Sequence, residues 1–166
     1  MKEVKERPKE LLIGEKYKKG ASVMLVKQIS VFLENKSGRL AEVTRILGSH
    51  DVDISALSIA DTTDFGVLRL IVNKPEQAEK VLIEKGFAVS CTNVIAIAVP
   101  DEPGGLASAL EILKKGSVGI EYMYAFVGKS SSGALVILRV EEPERAIELL
   151  KQMKIKVLSS EEVYNL

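Results

Sequence analysis

The chain has 166 residues, enough for one medium domain or two small ones. A hydrophobic fraction of 46 % and a charged fraction of 28 % describe a globular protein, and a formal net charge of zero gives no basic surplus for nucleic acid. One cysteine and one histidine exclude a disulfide framework within the chain and a Cys/His zinc site, and no apolar run approaches the roughly 18 residues of a membrane helix.

Residues 1–23 hold seven Lys/Arg and four Glu, net +3, around a short apolar island at Leu11, Leu12 and Ile13. They predict an extension outside the core, with a partner-binding helical arm as the alternative. Met24 opens a clean strand pattern, so a start at Met24 is an open alternative too. The N-terminus lacks the apolar stretch of a secretory signal, and a cytoplasmic location is expected.

Ile29, Val31 and Leu33 alternate, which predicts a half-buried strand. The polar turn "NKSG" follows and opens a helix with apolar residues at Leu40, Val43 and Leu47. His50 stands just past that helix, where a left-handed C-cap fits better than a general base. "VDISALSIA" and "GVLRLIV" read as strands joined by a hairpin tip, "DTTDFG", whose carboxylates suit a turn better than chemistry. Pro75 marks the first turn of a second helix with Ala78, Val81 and Leu82 inward. A short strand near Ala88–Cys91 closes the set, with Cys91 as a structural thiol.

The whole series then recurs. At an offset of 66, Gly38 falls on Gly104, Leu40 on Leu106, Ala41 on Ala107, Ile46 on Ile112 and Leu47 on Leu113. Ile95, Ile97 and Val99 repeat the first strand, and "GLASALEIL" repeats the helix. "VGIEYMYAF" and "GALVILRV" repeat the middle strands, and Pro143 opens the last helix, ahead of a terminal strand near Val157–Ser159. "GKSSSG" lacks the ending of a phosphate loop and precedes a strand. Tyr122, Tyr124 and Phe126 share one face and are expected as core under the helices, with a ligand platform as the alternative. The order is β-α-β-β-α-β, twice. It predicts an α+β protein of two ferredoxin-like units, each an antiparallel sheet with helices on one face, joined side by side without a flexible linker. The expected boundaries are an extension at 1–23 and units at 24–93 and 94–166. No catalytic constellation and no cofactor motif stands out.

Together these features resemble the ACT domain, the small-molecule regulatory module of amino-acid metabolism. The resemblance rests on "VFLENKSGRLAEVTRIL" and "VPDEPGGLASALEIL", each followed by a "V-x-I" strand, and covers Met24–Leu166 as two copies. It is close to stand-alone tandem ACT proteins without a catalytic domain. It implies an amino-acid ligand, a homodimer and a regulated enzyme partner; no nucleic acid and no membrane are expected, from the charge balance and the lack of a long apolar run. It also implies where the ligand sits, between the β1–α1 loop of one unit and strand β2 of a neighbour. The matching positions are Asn35, Lys36, Ser37, Gly38, Arg39, Leu40, Ile54 and Ser55 in copy one. In copy two they are Asp101, Glu102, Gly104, Gly105, Leu106, Ile120 and Glu121.

The residues themselves allow two readings of these loops. A helix N-terminus with a glycine suits a carboxylate, and Asn35 or Asp101 suits an ammonium. Equally, Asn35 and Asp101 cap the turn and the glycines only turn the chain. The resemblance favours a ligand for at least one loop. The copies differ, with Arg39 where copy two has Gly105, so two equivalent sites are not expected. An assembly subunit that binds no amino acid is the alternative function.

Overall fold

The computed structural model describes residues 22–61, 65–126 and 133–166. The expected N-terminal extension lies almost wholly outside these residues, as do parts of both hairpin tips. The elements run β1 (Leu25–Glu34), α1 (Arg39–Ser49), β2 (Ile54–Asp61), β3 (Phe65–Val72), α2 (Pro75–Glu84) and β4 (Ala88–Val99). Then follow α3 (Gly105–Lys115), β5 (Ile120–Ala125), β6 (Ala134–Val140), α4 (Pro143–Gln152), β7 (Lys156–Leu158) and α5 (Ser160–Tyr164). The β-α-β-β-α-β order appears twice, as the sequence predicts.

The units meet more intimately than neighbours would. The last strand of copy one and the first strand of copy two form a single twelve-residue strand, β4. Position 93/94 falls inside it. Its first part pairs with β1, from Phe32↔Ala88 to Leu25↔Ile95. Its second part pairs with β6 on the opposite edge and with β7 in line with β1. The result is one seven-stranded antiparallel sheet in the order β2-β3-β1-β4-β6-β5, with β7 on β4. Apolar residues on both faces of β4 explain why no turn interrupts it, since Ile95, Ile97 and Val99 face one way and Val94, Ala96 and Ala98 the other.

Alternation assigns the faces. Ile29, Val31 and Leu33 pack under α1 and α2, whose inward stripes include Leu47, Ala78 and Leu82. Ile95, Ile97 and Val99 pack under α3 and α4 with Leu113 and Leu150. The other face is concave. Gln28 on β1 bonds Tyr122 and Tyr124 on β5 at 2.9 Å each. In the sheet order these strands stand three spacings apart, about 14 Å if flat. Only a strongly curled sheet closes that gap, and the edge strands β2 and β5 do approach each other. Small side chains such as Ala56, Ala96 and Ala98 line this inner face.

Two expectations change. Tyr124 and Phe126 lie not under the helices but in the concave core, because β5 alternation carries Tyr122 and Tyr124 toward Gln28. The left-handed residue after α1 is Asp51 (φ 53°), while His50 has φ −114°. One residue of helix-end geometry separates the two, and copy two repeats it at Ser117 (φ 56°). The helix α5 adds an element that periodicity did not reveal. Ser159 and Glu162 form a reciprocal capping box. The Tyr164 hydroxyl accepts the Lys27 N–H, and the Ser160 N–H bonds the Val23 carbonyl, so the end of copy two is fastened to the first strand of copy one.

Candidate functional site

The first β–α junction is built from backbone turns. After Glu34 the chain bends so that the Lys36 N–H bonds the Glu34 carbonyl at 2.7 Å. Gly38 takes φ 89°, a conformation that side chains resist, and becomes the N-cap of α1. No side chain caps α1, and none caps α3, where Gly104 holds the same φ of 89°.

A cavity of about 260 Å³ opens beside this junction. Asn35, Lys36, Arg39 and Leu40 line it, together with Leu33 and Glu34 from β1, Ile59 from β2 and Gly66 from β3. Its size lies just below the usual range for drug-sized ligands, about 300–1,000 Å³, and suits a small metabolite. Ser37 and Gly38 complete the turn without lining the cavity. Ile54 packs against the helix-side core, and Ser55 sits at an irregular register in β2; neither lines the cavity. Leu33, Glu34, Ile59 and Gly66 are the lining residues that sequence reasoning missed. The strand alternation already placed Leu33 on the helix side, but pairing of Leu33 with Gly66 needs the register of the sheet.

The wall carries both signs of charge and an apolar side. The Lys36 ammonium meets the Glu34 carboxylate at 3.0 Å, which holds that carboxyl below its ordinary range. Arg39 pairs with Glu42 at 2.7 Å and lies over the Phe87 ring, 4.5 Å from its centre. Its Nε is buried and has no hydrogen-bond partner among the described residues. Leu40 and Ile59 are 40 % and 47 % exposed, high values for aliphatic side chains facing a recess.

Copy two is shaped differently. Gly105, the counterpart of Arg39, is buried, and a Cβ there would lie 2.1 Å from the Pro100 carbonyl oxygen. A Cβ on Gly133, the counterpart of Gly66, would lie 2.3 Å from the Val99 carbonyl oxygen. At Gly105 backbone thus closes on backbone where copy one holds the Arg39 side chain, whereas Gly133 and Gly66 are glycine in both copies. Leu106 packs into the second core, whereas its counterpart Leu40 is exposed. Asp101, Glu102 and Gly104 are exposed, Ile120 is at the surface, and Glu121 pairs with Arg139 at 3.3 Å. Among the described residues no group of three or more His, Cys, Asp or Glu could hold a metal ion, and no helix is long and apolar enough to cross a membrane.

Comparison with known proteins places this arrangement. A search of curated proteins finds no match. The crystal structure of protein BT0572 from Bacteroides thetaiotaomicron is similar, with 45 % identity and a TM-score of 0.81, covering 86 % of this chain and 98 % of that one. The ligand-free regulatory subunit of aspartate kinase from Thermus thermophilus shares the fold at 17 % identity and a TM-score of 0.58, covering 78 % and 94 %. The corresponding subunit from Thermus flavus does so at 14 % identity and 0.52, covering 76 % and 90 %. The family description that fits, over residues 24–166, is the ACT domain pair, and the chain belongs to that family.

Proposed function

We propose that this protein is a non-catalytic regulatory protein that binds an amino acid in the cavity of its first ACT unit. The observation that carries this reading is the asymmetry of the two junctions: one keeps a recess with paired charges and open leucine and isoleucine, while at the other the backbone closes on Gly105 and Gly133. A zwitterion needs an anion-binding and a cation-binding group a few ångströms apart, and Arg39, Lys36 and Glu34 provide them on one rim. The regulatory-subunit names of the Thermus relatives, which share the fold, agree with a role exercised on a partner enzyme.

One feature favours the assembly reading alongside it. Strand β2 ends the sheet order and exposes Leu57 and Ile59, so its outer edge suits pairing with a second copy in a homodimer. Isothermal titration of the full chain with the common L-amino acids separates the two functions. The binding reading expects one site per chain for at least one of them. Two equal sites per chain would contradict the assignment to copy one, and no heat or thermal shift at millimolar concentration with any amino acid would leave assembly as the function.

A further inference from the structure

Among the described residues, every charged group on the cavity wall has a local partner. Glu34 holds Lys36, and Arg39 holds Glu42. Both pairs are substantially exposed, and such pairs hold weakly. The Arg39 arrangement is also incomplete. Among the described residues Glu42 engages Nη1, while the buried Nε has no acceptor. A buried donor without an acceptor carries a penalty, and a planar guanidinium is best satisfied by a carboxylate that takes two N–H groups at once. Opposite these charges the wall is aliphatic, formed by Leu33, Leu40 and Ile59.

Resting on the amino-acid reading above, we propose that the ligand is a branched aliphatic amino acid that enters by exchanging ion pairs. Its carboxylate takes Arg39 from Glu42, its ammonium takes Glu34 from Lys36, and its side chain covers Leu40 and Ile59. The exchange conserves charge, because the zwitterion supplies one group of each sign. The released Glu42 and Lys36 are exposed enough to return to water at little cost. A charged ligand side chain would instead be pressed against aliphatic wall without a partner.

The test is titration calorimetry of the full chain with leucine, lysine and aspartate. Two leucine analogues complete the panel: 3-methylbutylamine, which lacks the carboxylate, and 4-methylpentanoate, which lacks the amino group. Leucine should bind at least about tenfold more tightly than the other four, the scale of one charge-assisted hydrogen bond. Arg39→Gln should erase the difference between leucine and 3-methylbutylamine, which a merely structural arginine would not do. Glu42→Gln should tighten leucine binding by up to about fivefold, the worth of an exposed ion pair. The proposal is overturned if Arg39→Gln keeps that discrimination, if Glu42→Gln weakens leucine, or if lysine or aspartate binds best. Those results leave amino-acid binding itself standing, whereas failure of all amino acids to bind removes both readings. Should Arg39→Gln not fold by circular dichroism, the Glu42→Gln and analogue comparisons decide alone.

Discussion

Replacing Tyr124 by Phe removes one hydroxyl from the concave face and should loosen the hold of unit two on unit one. Gln28 is fully buried, and its side chain is engaged on both ends. Its Nε2 donates to Tyr122 Oη at 2.9 Å and to Ser30 Oγ at 3.2 Å, and its Oε1 accepts from the Tyr124 hydroxyl at 2.9 Å. Without that hydroxyl the Oε1 is left buried and unpaired, a loss of about 1–3 kcal/mol. For a chain of this length that lowers the melting temperature by about 2–12 °C. Urea unfolding followed by circular dichroism should show a lower midpoint with an unchanged slope. Gln28→Leu combined with Tyr124→Phe should cost less than the sum of the single changes, because the stranded partner is gone too. A Tyr124→Phe loss below about 0.5 kcal/mol, or strict additivity with Gln28→Leu, would refute the reasoning. The pH dependence offers a second check. Burial, with Tyr122 beside it, pushes the Tyr124 hydroxyl up from its ordinary value near 10. The unfolded chain therefore loses this proton first as pH rises. Stability conferred by the protonated form is complete below pH ~10 and declines above it, toward the raised folded value. Tyr124→Phe should flatten that alkaline decline.

Two further predictions concern the second junction and the thiol. Gly105→Ala places a Cβ 2.1 Å from the Pro100 carbonyl oxygen, so it should destabilise the chain by about 1–3 kcal/mol in thermal unfolding while leaving amino-acid affinity unchanged. Equal loss of binding would move the site to copy two. Burial, with the Glu79 carboxylate near it, pushes the Cys91 thiol up to about 11 from 9.0. Alkylation by iodoacetamide at pH 8 should then run about 100-fold slower than for an unshifted thiol and rise with pH until about 11. A plateau near pH 9 would contradict the assigned burial.

The fold was legible because its signals are local. Period-two strands, amphipathic helices, Pro75 and Pro143 at helix starts, and the 66-residue echo each need only short windows of sequence. What escaped depends on distant partners. Tyr122 and Tyr124 share a face by alternation, but which face meets Gln28 depends on how far the sheet curls, and no local pattern encodes that. The fusion of two strands into β4 was half visible, since "SCTNVIAIAV" contains no turn residue strong enough to stop a strand. The short helix α5 carries a capping box at Ser159 and Glu162, a signal present in the sequence but brief enough to pass as a tail. Within the candidate site, the loop residues were implied by the family resemblance, whereas Ile59, Gly66 and the Phe87 ring under Arg39 required strand register and tertiary packing.

Duplication makes the divergence of the two junctions interpretable. Both keep the glycine at φ 89°, so the turn that starts the helix is the shared structural requirement. The next residue is where they part. Glycine at 105 lets the chain settle onto the Pro100 carbonyl, and Leu106 beside it packs, partly buried, against the second core. Arginine at 39 has a side chain too large for such closure, and it leaves Leu40 uncovered and a donor unpaired. A sequence selected only for folding gains nothing from the orphaned Nε, since a buried donor without an acceptor costs stability. Local rules broken at copy one and kept at its twin are the pattern that the ligand site proposed for copy one would leave in the sequence.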